Sequence, residues 1–256
     1  MENNAIIDLN SALAMAPDAS FAEDALAMKC DILNRQGKTQ EAIDTYKQIV
    51  EKSSSEDNKV LAQLGIIRSS MKLEKWKDVS TTADALLKNH TLSANEEAEV
   101  KLARAVAAAR QGRMEAAETD FRALAKDPQS KAGAQATYEL ANLLYAEGNY
   151  KTAEKTINNF FKAKSQQTYW IGKCYILLAD VYYKQGKTAE AREYIESLKT
   201  TYPGKEADIL SDIDSRLNKW GAKNKPAAAG TAGKSNKNNN SSADNKSGSH
   251  KKNNKK

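Results

Sequence analysis

Histidine, cysteine and proline are scarce here: two, two and four residues in a chain of 256. The cysteines, Cys30 and Cys174, form no CxxC, and His90 and His250 have no third ligand near them. The sequence therefore offers neither a metal site nor a Cys–His nucleophile pair. Within the sequence as given, no stretch reads as a signal peptide or as an apolar run long enough to cross a membrane. Carboxylates are plentiful, but groups such as Glu96-Glu97 and Glu115 to Glu118 fit solvated helix surface, and none forms an isolated pair on an apolar face. The expectation is a non-enzymatic protein with no cofactor, no metal and no small-molecule substrate.

What the chain has instead is a repeat. Gly37, Gly112, Gly148 and Gly186 are each followed five residues later by an alanine: Ala42, Ala117, Ala153 and Ala191. The glycine intervals are 75, 36 and 38, and the double interval holds a degenerate copy, Glu74 to Val79, with Glu74 where the glycine would stand. A period of 36 to 38 residues is the signature of a stacked solenoid.

One copy reads as a helical hairpin. In the fifth, Tyr175, Leu178, Ala179 and Tyr182 fall three and four apart on one helical face. Gly186 suits the left-handed conformation that closes a helix, Ala191, Ile195 and Leu198 make the stripe of a second helix, and Pro203 stops it. The alanine is small because two antiparallel helices approach there. The other copies carry the same template: Leu26 to Ile49, Leu61 to Leu86, Leu102 to Leu124 and Leu140 to Phe160. Ser20-x-x-Glu23 and Ser93-x-x-Glu96 read as capping boxes. The two cysteines, four repeats apart, are too far from each other for a disulfide and read as buried structural thiols; His90 reads as a solvated loop residue.

These residues resemble the tetratricopeptide repeat (TPR) family, whose pattern of W-x2-L-G-x2-Y, G, A-x3-F, A and P is met in the fifth copy by Leu178-Ala179, Tyr182, Gly186, Ala191, Ile195 and Pro203. The period exceeds the family's 34 residues by a few, and the first-helix glycine becomes Cys30 or alanine. The resemblance, covering Ala5 to Trp220, implies an all-α, right-handed superhelical solenoid of antiparallel helix pairs. It also implies a concave groove lined by outward positions of each first helix. Carried onto this chain, those positions include Arg68 in the second copy, Tyr138, Asn142 and Tyr145 in the fourth, and Asp180 and Tyr183 in the fifth. The three tyrosines either form a partner-binding cluster or pad the ridge between neighbouring helices. A subgroup of the family grips a partner's C-terminal carboxylate with a Lys/Asn/Lys/Arg set. Asn142 matches it, but Tyr138 stands where the first lysine belongs, which disfavours that ligand.

The ends differ. Residues 1–18, with Ala5, Leu9, Ala12 and Pro17, have the spacing of the second helix of a repeat with no first helix before it. Either the chain is the C-terminal part of a longer array, similar to the long bacterial TPR proteins of the cell envelope, or this is a natural N-terminal helix. The unpaired half-repeat also suggests self-association. Residues 19–204 hold the five hairpins. Residues 205–220 form a capping helix with Leu210, Ile213, Leu217 and Trp220 on one face and Asp208, Asp212, Asp214, Arg216 and Lys219 covering the rest.

Residues 221–256 contain no aromatic residue and no aliphatic one larger than alanine, the composition of a disordered tail. Its nine lysines against the single Asp244 give +8, and since the whole chain carries +6, the body carries −2. Ala228 to Ser235 mimics a phosphate loop, but Pro226-Ala-Ala precedes it and an Asn-rich run follows, so neither the strand nor the helix such a loop needs is available. The functional expectation is an interaction scaffold binding a peptide or partner subunit along the groove. The alternative is nucleic-acid or acidic-surface binding through the tail, disfavoured by the absence of aromatics. Localisation is the cell envelope or periplasm for a fragment of an exported protein, and the cytoplasm for the chain as written.

Overall fold

A computed structural model describes residues 2–15 and 19–221. The tail, the phosphate-loop mimic and Pro17 lie outside the described residues. Among the described residues twelve helices follow one another: α1 (Glu2–Ala14), α2 (Ala19–Arg35), α3 (Thr39–Lys52), α4 (Glu56–Lys72), α5 (Trp76–Asn89), α6 (Ala94–Arg110), α7 (Met114–Leu124), α8 (Lys131–Ala146), α9 (Tyr150–Lys162), α10 (Thr168–Lys184), α11 (Thr188–Thr201) and α12 (Ala207–Gly221). No strand occurs among the described residues. Each helix packs on its sequence neighbour, and α4, α6, α8, α10 and α12 also touch in succession. The result is an all-α solenoid of stacked hairpins.

The turns inside the hairpins are built alike. Gly37, Gly112, Gly148 and Gly186 have φ of 71°, 76°, 80° and 82°, and Glu74 takes their place with φ 54°. In each, the N–H just after the turn residue bonds the carbonyl five positions back, as in Lys75 to Ser70 and Lys187 to Tyr182, both 2.9 Å. This is the hydrogen bond that terminates a helix through a left-handed residue. Glu74 therefore holds a backbone conformation that costs a side-chain residue about 1–2 kcal/mol. Five residues after each turn residue, Ala42, Val79, Ala117, Ala153 and Ala191 are all fully buried where the paired helices meet.

The starts of α4, α6 and α8 are fixed by serines. Ser93 and Glu96 form the capping box expected of them, and Ser55 and Ser130 accept from Asn58 N–H and Gly133 N–H. The second box proposed from the sequence meets a different arrangement. Ser20 lies inside α2, which begins at Ala19, and Glu23 accepts from Ser54 N–H at 3.2 Å and the Asn58 amide at 2.5 Å. A carboxylate one hairpin away from these donors ties the first repeat to the second.

Candidate functional site: the inner face

The first helices α4, α6, α8 and α10, with α12 after them, form one continuous wall. Between α4, α6 and α8 the wall opens into a cavity of about 480 Å³. Ile67, Met71 and Leu102 supply its apolar lining, and Arg68, Glu99, Lys131 and Gln135 its polar rim. The Arg68 guanidinium grips Glu99 with two hydrogen bonds, 2.6 and 2.7 Å, linking α4 to α6. Lys131 has no ion-pair partner among the described residues. A second recess of about 320 Å³ lies between α6, α7 and α8, bordered by Val106, Ala109, Arg110, Met114, Glu139 and Asn142. Glu139 is half-buried there, and burial raises its pKa above the ordinary carboxylate value, with Arg110 and Lys173 pulling the other way.

Towards the C-terminal end the wall is closed by polar and aromatic contacts. Arg216 of α12 binds both oxygens of Asp180, with distances of 2.6 to 3.0 Å, and also meets Asp212 at 3.1 Å. Lys173 reaches Asp212 at 3.1 Å, and Tyr169 donates to Asp208 at 2.7 Å. The Tyr183 ring stacks on Trp220 with centroids 4.8 Å apart and an interplanar angle of 8°. Tyr138 sits 5.7 Å from Trp170 with the Lys173 ammonium over its face at 5.9 Å, and Tyr145 sits 5.6 Å from Tyr150. Burial pushes the phenol pKa values of Tyr138 and Tyr145 upward.

The six residues singled out from the sequence thus divide. Arg68 and Asn142 border the two recesses and are exposed. Tyr138, Tyr145, Asp180 and Tyr183 are half-buried and each touches a neighbouring helix or turn. Asp208, Asp212 and Arg216 do not merely cover the cap with charge, as the sequence suggested; they wire it to α10. The signal was the period itself. Asp180 and Arg216 are 36 residues apart and Tyr183 and Trp220 37, so α12 stands where a sixth first helix would.

The stretches that match tetratricopeptide repeat family models are residues 65–131 and, for a second model, residues 31–55 and 169–205, together about half of the sequence. The chain belongs to the tetratricopeptide repeat family. Solved structures agree on the fold. A TPR protein from Parabacteroides merdae superimposes with a TM-score of 0.63 at 19% identity, covering 88% of this chain and 87% of that one. BtubC (BKLC) from P. vanneervenii gives 0.59 at 14%, covering 91% and 96%. A putative kinesin light chain from Podosopora anserina with TPR-like repeats gives 0.53 at 16%, covering 78% and 96%. Among curated protein sequences nothing matches. TPR repeats generally mediate protein–protein contacts.

The scarce residues sit apart from this face. Cys30 and Cys174 are free and buried, and burial pushes the Cys30 thiol up to about 12. His90 is not solvated as its linker position suggested. Its side chain is 14% exposed and its Nδ1 lies 3.4 Å from Glu56. No group of three metal-ligating side chains occurs among the described residues, and no described helix is long and apolar enough to cross a membrane.

Proposed function

We propose that the inner face binds an extended peptide or a segment of a partner subunit, anchored by an apolar side chain in the cavity between α4, α6 and α8. The observation that carries this reading is the composition of that 480 Å³ recess: Ile67, Met71 and Leu102 under a rim of Arg68, Glu99, Lys131 and Gln135. Buried apolar contacts ringed by polar groups are where binding energy concentrates. Arg68 and Asn142 are the exposed polar contacts along the path, and Tyr138 and Tyr145 lie further along it. Asp180 and Tyr183, held by α12, set where the path ends. In this reading the protein is a non-enzymatic scaffold.

The test is selection from a displayed random-peptide library against the full chain, followed by titration of the selected peptides. Binding that survives moderate salt, and weakens at least tenfold in Leu102→Glu while Ile7→Ser leaves it unchanged, is the expected outcome. Peptides indifferent to Leu102→Glu, or none selected at all, would overturn the reading.

A further inference from the structure

A second groove lies away from the inner face, along α11. It has a volume of about 390 Å³ and is lined by Tyr175, Glu190, Glu193, Tyr194 and Ser197, with Thr201 at its far end. Its floor continues a run of aromatic rings. Phe161 stacks on Tyr175 at 4.3 Å, Tyr175 and Tyr194 are 6.3 Å apart, and Tyr194 and Tyr182 are 5.3 Å apart. From Glu190 to Thr201 it extends about 16 Å along the helix axis, the length of about five residues of extended chain.

The charges within α10, α11 and α12 single the groove out. Asp180, Glu196, Asp208, Asp212 and Asp214 are each paired with a lysine or arginine. Glu190 and Glu193 are exposed and have no cation partner among the described residues. Tyrosine faces beside free carboxylates suit a lysine ammonium, which the ring quadrupole attracts. The fold already uses that contact: Lys187 lies over the Tyr182 ring at 4.9 Å, at the neighbouring end of the same aromatic run.

We propose that the groove receives the lysine-rich end of this same chain, Lys251 to Lys256. That stretch holds four lysines and no acidic residue in six positions, a length that fits the groove. Residues 222–256, extended, span on the order of 100 Å, so the tether from α12 reaches easily. Tethering places the lysines at an effective concentration in the millimolar range, which lets weak individual contacts add up. The −2 body and +8 tail are complementary in sign. Docking covers this acidic tyrosine groove and leaves the inner face open.

Carbodiimide coupling of the full chain, which joins lysine amines to carboxylates, tests this by mass spectrometry of the links. In low salt, links from Lys251 to Lys256 are expected at Glu190 and Glu193 severalfold above those at exposed Asp78 and Glu115 and at the nearby Asp214. The preference should fall in 0.5 M salt and in a Tyr175→Leu/Tyr194→Leu variant that keeps its helical circular dichroism. Links spread evenly, absent, or unchanged by both salt and the tyrosine substitutions would overturn the proposal. So would links found only between isotopically heavy and light chains, which would place the tail on a second copy.

Discussion

The two ends of the solenoid finish differently. At the C-terminal end, α12 occupies the place of a sixth first helix, buries Ile209, Ile213 and Trp220, and binds Asp180 and Lys173 through Arg216, Asp208 and Asp212. At the N-terminal end, α1 lies against α2 with Ala5, Leu9 and Ala12 half-buried, but Ile7 and Met15 remain 62% and 76% exposed. Phe21, Met28 and Leu61 add to the apolar surface of that half. Because each repeat of a solenoid is stabilised chiefly by its neighbours, one end is locked by side chains a full period apart and the other is held by a single helical contact.

Breaking the C-terminal lock should have the largest effect. Trp220→Ala removes a buried indole stacked on Tyr183 and should cost about 3 kcal/mol, seen as an earlier denaturant midpoint. Arg216→Ala leaves Asp180 half-buried without its partner and should cost about 2 kcal/mol, below the full penalty of a buried pair because both groups keep some water contact. The turns offer a finer contrast. Gly148→Ala meets open space but must hold φ near 80°, so it should lose about 1 kcal/mol. Glu74→Gly relieves the same strain and should gain up to about 1 kcal/mol, less the added freedom of the unfolded chain. At the N-terminal end, Ile7→Ser should change stability by less than about 0.5 kcal/mol, as for an exposed position.

A pH series separates the recess beside Asn142 from either end. Glu139 has a raised pKa in the folded state because of burial, so the folded chain holds its proton where the unfolded chain has released it. Stability from this group therefore falls as pH rises from the ordinary carboxylate range through the raised value. Glu139→Gln should be more stable than the wild type at pH 7, and the gain should vanish at or below pH ~4 in urea titrations.

Much of this was legible from spacing alone. The 36-to-38 period located the hairpins, Glu74 was placed at a turn normally made by glycine, and the alanine five residues on marked a fully buried position. The Ser93 box was readable because all its partners lie within one turn. What escaped the reading depends on partners a repeat away. Glu23 accepts from Asn58 and Ser54 at the start of the next repeat. His90 meets Glu56 at the start of α4, and Arg216 looked like solvated charge until the stacking set it against Asp180. The apolar recess under Arg68 likewise needs α4, α6 and α8 side by side.

The most direct test of a ligand path on the inner face, away from the open N-terminal end, is hydrogen exchange of the full chain with and without a saturating selected peptide. Protection gained in α4, α6 and α8, with α1, α2 and the second helices unchanged, is the predicted result. Protection confined to α1 and α2, or to α9 and α11, would contradict it.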